Sequence, residues 1–449
     1  MTFCLGPIVF AQQPELGPIV RVDQNHWRVF AHAEPNSKLQ PTLIVNLKPR
    51  KMSAIRLKDG AWWEATVEAK GDLTYAVQFD SDHRSADQTV RAADYPLPKN
   101  PAWSQASTLY RIEIDRFDRA GGPPKHARPG FEGGNLQGIL GHLDAVASLG
   151  VGALILSPLV PAKDPFHREV TDPSILDPEL GDPKDFADVV TQVHQRDLRI
   201  LAEGPRPGGI PSLDGWLGAS SPGGWNIAPT PTGKADTAEF DEWFDRVAAW
   251  VRDPDQTATE LDAQLKLQRD QLPDELIQHA IHALGNADAA RPNNLFADPA
   301  RQRQAWVFLF TYPGIPLLRA GDEIGLSGGP FPDNRAKMPW NPGREDAPLQ
   351  RFITALIGLR AKRPSLARGS FETIVANNEK GLFGYFRQDR FEGTLVLFNN
   401  GTIAQTYTAA AGRFGGQLVD LLGTSSIGVV NGVLTVNVAP HGYAVIGTP

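Results

Sequence analysis

Hydrophobic residues along the chain change their spacing twice. Over 16–98 they come in short, partly alternating runs, "WRVFAHA", "PTLIVNLK", "AWWEATVEA" and "LTYAVQF", separated by Gly, Asn, Asp and Pro. Alternation at period two with frequent turn residues predicts strands of a small β-sandwich. The Pro-rich "DYPLPKNPAW" reads as a linker. From 104 to 366 apolar strands alternate with amphipathic helices. "TLYRIEIDRF", "VGALILSPL" and "LRILAEG" are strands, "GILGHLDAVASLG" is a helix closed by Gly150, and "DPKDFADVVTQVHQRD" is a helix capped by Asp182 with Pro183 at its first turn. Wholly apolar strands joined by helices predict a parallel sheet covered by helices.

That pattern fails over 204–237, a stretch dense in Gly, Pro, Ser and Thr with no convincing buried strand. Helices resume at "AEFDEWFDRVAAWVRD" and "ATELDAQLKLQRDQL". "LIQHAIHALGN" and "GIPLLRAGDEIGL" read as two late strands, and "LQRFITALIGLRAKRP" as a helix that Pro364 ends. Residues 370–449 return to β runs and predict a C-terminal β-sandwich.

Composition narrows the function classes. The 449 residues are 41% apolar and 21% charged, with a net charge of −7 and no basic stripe, so nucleic-acid binding has no electrostatic footing. No run approaches the ~18 apolar residues of a membrane span. The segment 1–12 has an apolar run ending in Val9-x-Ala11, which fits a trimmed export signal although it lacks the basic start. Export is therefore expected, with a cytoplasmic location as the alternative. Cys4 is the only cysteine, which excludes disulfides and thiol chemistry from the rest of the chain.

Several segments carry a resemblance. "PAWSQASTLYRIEIDRFDR", "GGNLQGILGHLDAVASLGVGALILSP", "FHREVTDPSILDPELGDPKDFADVVTQVHQRDLRIL" and "YPGIPLLRAGDEIGLSGGPFPDNRAKMPWN" resemble glycoside hydrolase family 13, the α-amylase superfamily, and within it the neopullulanase/cyclomaltodextrinase-like branch. The resemblance implies a TIM-type (β/α)8 barrel between the two sandwiches. The short 204–237 stretch implies that this barrel is reduced or incomplete around strands 4–6. Such enzymes work with two carboxyls, one nucleophilic and one kept protonated. The family adds a third carboxylate that stabilises the transition state.

Mapped residue by residue, the family motifs are depleted. The loop His-Gly-Tyr stands here as His167-Arg168-Glu169. The third-strand motif stands as Glu203-Gly204-Pro205-Arg206-Pro207-Gly208, without its Asn and His. The nearest match to the fourth-strand motif, Gly224-Trp225-Asn226-Ile227-Ala228, lacks the nucleophile, and the fifth-strand Glu has no candidate. The seventh-strand Asn-His-Asp stands as Asn286-Ala287-Asp288 in "HALGNADAAR".

Asp288 thus holds the position of the transition-state stabiliser, and Glu203 is the one carboxylate placed to replace a lost partner, unless Arg206 or another cation pairs with it. Asn286, Arg291, His167 and Trp225 are candidate sugar contacts. Trp62 and Trp63 form a candidate platform for sugar rings in the N-terminal sandwich, with Trp27 near, and Trp216 is read as exposed alongside Trp225. Asp115-Arg116 reads as a buried ion pair, and Asp322-Glu323 as structural. His279 and His282 lack metal-ligand spacing. Calcium, common in the family, is not expected because Pro207 stands where an Asn usually helps to bind it. No other cofactor is implied.

The leading expectation is an amylase-superfamily protein that lacks nucleophile and general acid and no longer hydrolyses, binding an α-glucan or maltooligosaccharide or acting structurally. Two alternatives stay open. One is an active α-glucan hydrolase or transglycosylase with relocated carboxylates. The other is a protein-interaction module without sugar affinity.

Overall fold

The computed structural model describes residues 14–35, 37–124, 129–218, 224–228, 236–253, 255–340, 347–414 and 416–449. The segment read as an export signal, 1–12, lies outside them. The chain forms two compact units: residues 1–98 with 259–277, and residues 99–258 with 278–449.

In the first unit, strands Glu15–Arg21, His26–Ala33, Ala61–Glu68 and Ser53–Arg56 form one antiparallel sheet in the order 1-2-4-3 of the chain. Lys48–Lys51, Thr42–Val45, Leu73–Gln78 and Gln88–Val90 form the other. Successive side chains of a strand point to opposite faces. Along Ala61–Glu68 this sends Ala61, Trp63, Ala65 and Val67 into the core with Trp27, Leu43 and Val77, and turns Trp62 outward. The outer face of the first sheet is also apolar, at Val20, Phe30 and Ile55. Helix Ala258–Asp270 covers it with Leu267 and Ala263, while its Lys266 pairs with Glu64. The sequence pattern had assigned this helix to the barrel region 104–366; residues 259–277 instead pack with the sandwich.

The second unit is built on an eight-stranded parallel barrel. In chain order its strands are Leu109–Ile112, Ala153–Leu156, Arg199–Glu203, Gly215–Leu217, Trp225–Ala228, Thr237–Ala238, Ile281–Ala283 and Ile315–Arg319, each beside the next, with the eighth beside the first. The sixth and seventh meet through a single parallel bridge, Glu239 with Ile281, so the sheet is nearly closed. Helix Pro183–His194 has the expected Asp182 capping box, and Gly150 adopts a left-handed φ of 83° just past helix Leu143–Ser148.

The reading of 204–237 needs correction. Three buried strands stand in it or at its edge, so the barrel is reduced but not broken. They are two to four residues long, and the links 218–224 and 229–236 are shorter than the dozen or so residues that a helical crossover needs. Segment 224–228, matched above to the fourth-strand motif, is the fifth barrel strand. "LIQHAIHALGN" also divides, into a short helix Asp274–Ile277 and the strand Ile281–Ala283, with His279 before the strand.

After the barrel, helix Ala347–Lys362 leads to a five-stranded and a three-stranded antiparallel sheet, which share a core of Phe386, Leu395, Leu397, Leu434, Val436 and Ile446.

Candidate active site

The barrel interior is filled by Leu109, Ala153, Ile155, Leu201, Leu217, Trp225, Ile227, Ile281, Ile315 and Leu317. Period-two alternation places the residue two positions further along each strand on the same inner face, one layer closer to the C-terminal mouth. For Leu109 that residue is Arg111, for Leu201 it is Glu203, for Thr237 it is Glu239, and for Leu317 it is Arg319. A charged layer therefore caps an apolar plug. Above it opens a cleft of about 240 Å³, also lined by Glu113, Asp241, Asn286 and Ala287. Active sites of such barrels sit at this face.

Arg111 organises the layer. Its Nε forms an ion pair with Glu203 Oε1 at 2.5 Å, and its Nη2 donates to Glu239. One guanidinium fork with a carboxylate on each side holds the two acids close together. The three side chains are 16%, 21% and 17% exposed, so the pairing is largely desolvated. Burial pushes the Glu203 carboxyl up, while Arg111 pulls it back. Arg319, beside Arg111 in register, donates instead to the carbonyls of Asn286 and Asn334, both at 3.1 Å. Burial, with Arg291 near, brings its guanidinium down to about 10. Glu113 pairs with Arg335.

Asp241 differs from these. It opens helix Asp241–Arg252 at the cleft rim and keeps contact with solvent. Burial of its base, then the neighbouring Glu239, push its carboxyl up to about 6. Asp245 and Asp288 add to that push. Two carboxyls two residues apart thus lie in opposed environments, one held by a cation and one driven toward its protonated form.

The residues singled out in the sequence scatter. Glu203 lies in the cleft, paired not with Arg206 but with Arg111. Asp288 is 77% exposed and meets Arg168 at 3.4 Å. Asn286 lines the cleft, but its side chain accepts from the backbone N–H of Asp288 and Ala289 and so fixes the turn. Arg291 is buried and pairs with Asp322 at 2.9 Å, so it braces the scaffold. His167 sits in the loop after the second strand with a φ of 57°.

The tryptophan readings need correction too. Trp225 and Trp216 are 3% and 0% exposed; Trp225 is part of the barrel plug, and the Trp216 Nε1 donates to the Gly204 carbonyl at 2.5 Å. Trp63 and Trp27 are core residues, which leaves Trp62, half-buried against His32, on the outer face. His282 is locked among Trp243, Phe240 and Tyr312, and burial drives its pKa down to about 3. Asp115 meets Arg116 at 3.4 Å and caps the N–H groups of Glu132 and Gly133. Glu323 accepts from the Tyr110 hydroxyl at 2.9 Å. Among the described residues, no group of three or more His, Cys, Asp or Glu is placed to hold a metal ion.

Arg111, Glu239, Asp241, Arg319 and Arg335 were not foreseen. Arg111 and Glu113 alternate with apolar residues in "LYRIEI", which was the available signal. Glu239 was hidden because "AEFDEWFDRV" reads as one helix, whereas the helix starts at Asp241.

Residues 80–204 match the family described as alpha amylase, catalytic domain. Over that segment the chain is similar to the alpha-amylase catalytic domain. Over 76% of the chain it is 22% identical to a cyclomaltodextrinase of Geobacillus thermopakistaniensis (strain MAS1), covering 77% of that protein. Neopullulanase 2 of Thermoactinomyces vulgaris matches at 22% with the same coverage. An intracellular maltogenic amylase of Bacillus subtilis (strain 168) is 21% identical, over 85% of this chain and 87% of its own length. Among solved structures, a cyclomaltodextrinase superposes with a TM-score of 0.76 at 18% identity, covering 97% of this chain and 100% of that one.

The expectation of a non-hydrolytic protein falls here. The proteins that this chain resembles over three-quarters of its length are named cyclomaltodextrinase and neopullulanase, and its barrel mouth holds a cleft furnished with carboxylates. No helix among the described residues is long and apolar enough to cross a membrane.

Proposed function

We propose that this chain is an active α-glucan hydrolase or transglycosylase, with its carboxyls relocated to the end of the sixth barrel strand and the start of the helix after it. The observation that carries the reading is the Glu239–Asp241 pair in one cleft. Arg111 pairs with Glu239, and Asp241, pushed up to about 6, holds a proton in a usable share of molecules near neutral pH. Pairs of acids whose environments drive them apart are how such enzymes divide the roles of acid and base.

In this reading Asp241 passes its proton to the glycosidic oxygen as the bond to C1 breaks, and the Glu239 carboxylate bonds C1. Water, or a sugar hydroxyl in transglycosylation, then attacks C1, returns its proton to Asp241 and frees Glu239. Glu203 and Arg111 fix the orientation of Glu239, and the backbone-anchored Arg319 faces the hydroxyls of the sugar. At about 240 Å³ the cleft lies below the roughly 300–1,000 Å³ of most small-molecule sites. It suits one ring at depth, with the chain continuing outside. Relatives named for cyclomaltodextrin and pullulan direct the choice of substrates.

The test is incubation of the purified chain with maltodextrins, starch, pullulan and cyclodextrins, followed by product chromatography. Turnover that Glu239→Gln and Asp241→Asn each abolish is expected. No turnover on any substrate, or turnover unchanged in both variants, overturns the proposal.

A further inference from the structure

The barrel wall has a second concavity, on its outer side. Alternation along Leu109–Ile112 turns Arg111 into the cleft and its neighbour Tyr110 outward. Behind that strand a pocket of about 310 Å³ takes residues from helices Leu143–Ser148 and Ala347–Lys362. It shares no lining residue with the cleft. Val146, Leu149, Ile324, Met338 and Trp340 give it an apolar wall, and Tyr110, Glu323 and Gln350 bring polar side chains. The Trp340 ring is held in place. Its Nε1 donates to the Phe117 carbonyl at 2.6 Å, and His142 stacks on it with ring centres 3.6 Å apart.

Glu323 decides what the pocket can take. Its buried carboxyl accepts from the Tyr110 hydroxyl and from the Gly321 backbone N–H, each at 2.9 Å. Those bonds satisfy its oxygens but bring no counter-charge. Glu203 and Glu239 share Arg111, Asp322 has Arg291, and Glu113 has Arg335. Among the described residues Glu323 has no such partner, and burial, with Asp322 adding to it, pushes its carboxyl up to about 7. A buried carboxylate without a cation is costly and is relieved by a proton or by an incoming positive charge.

We infer that this pocket binds a small organic cation, a protonated amine on a compact apolar body, with the ammonium on Glu323 and the body against Trp340 and Met338. The ammonium supplies the missing counter-charge through a charge-assisted hydrogen bond. The Tyr110 hydroxyl gives its own proton to Glu323 and keeps lone pairs for a second ammonium hydrogen. The indole of Trp340 adds the attraction of an aromatic ring for a cation. A neutral sugar leaves the carboxylate uncompensated, and an anion is repelled. The site lies apart from the cleft, so the inference stands or falls independently of glucan cleavage.

The experiment is calorimetric titration of the full chain at pH 8 with phenethylamine, and with 2-phenylethanol as a neutral compound of the same shape. Glu323→Gln keeps an acceptor for the Tyr110 hydroxyl and removes the charge. Ala145→Trp, at an exposed lining position, fills the pocket and leaves Glu323 in place. Phenethylamine is expected to bind the wild type about tenfold or more tightly than 2-phenylethanol, the scale of one charge-assisted hydrogen bond over a neutral one. Each variant is expected to lower its affinity by about tenfold. If Glu323→Gln fails to fold, the neutral compound and Ala145→Trp decide. No binding of phenethylamine to the wild type, or equal binding of the two compounds, overturns the inference. Binding that Ala145→Trp leaves unchanged belongs to the acidic cleft and overturns it too, as does binding that survives Glu323→Gln intact.

Discussion

Replacing Arg111 by Ala is the sharpest perturbation of the charged layer. The substitution deletes one cation and leaves Glu203 and Glu239 facing each other in a largely desolvated site. Each charge-assisted hydrogen bond contributes roughly 1.5–3 kcal/mol, and removing one partner of a buried pair costs about 3–5 kcal/mol. At pH 8 a loss near that range is expected. The loss should shrink at acid pH. Burial already holds the folded Glu203 carboxyl above its unfolded value, and without Arg111 it rises further. A carboxyl raised in the folded state stabilises below its unfolded pKa, and that stability is lost as pH rises through the folded value. As Glu203 takes up a proton on acidification it no longer needs a cation, so the variant recovers part of its deficit. Urea unfolding of wild type and variant at pH 5 and pH 8, followed by near-ultraviolet circular dichroism, reads both numbers. A deficit that is the same at the two pH values, or below about 1 kcal/mol at pH 8, would refute the view that Arg111 holds the two acids together.

Other consequences follow from the same geometry. If Asp241 is the proton donor, kcat falls as pH rises through about 6, and Asp241→Asn removes that descending limb while lowering kcat by roughly 10²–10⁴. A steady-state pH profile of both proteins decides this. Trp225→Ala empties part of the barrel plug and should cost about 3–5 kcal/mol in chemical denaturation. A cost near zero would return Trp225 to the surface. Arg291→Ala leaves Asp322 buried without its partner and should cost a similar 3–5 kcal/mol, whereas Asp288→Ala, in an exposed pair, should change stability by less than about 1 kcal/mol. Thermal melts of the two variants side by side test the contrast.

The parts of the fold legible in the sequence are those where period and length agree. "ALIL", "RILAE" and "IPLLR" are four- or five-residue apolar strands beside clear turn or helix signals, and each is a barrel strand. Strands four to six are not legible because two to four residues cannot show a period, and the seven or eight residues between them carry no helical pattern. The site follows the same rule. Glu203 was visible as the polar end of an apolar strand. Glu239 ends a two-residue strand that merges in sequence with the helix after it. Trp216 and Trp225 misled for a related reason: Gly- and Pro-rich surroundings suggested exposure, while the alternation that buries them needs the strand to be known first.

The seam of the barrel has a consequence for motion. A single residue, Glu239, makes the backbone bridge between the sixth and seventh strands and also supplies a side chain to the cleft. Elsewhere the ladder is held by two to four paired positions per strand, so the seam is where the cylinder unzips at least cost. Amide hydrogen exchange should therefore be fastest, within the barrel, at the Phe240 N–H that bonds Ile281 across the seam. Each such opening carries Glu239 away from Arg111 and widens the mouth. Breathing of the wall and access to the cleft are one movement in this protein.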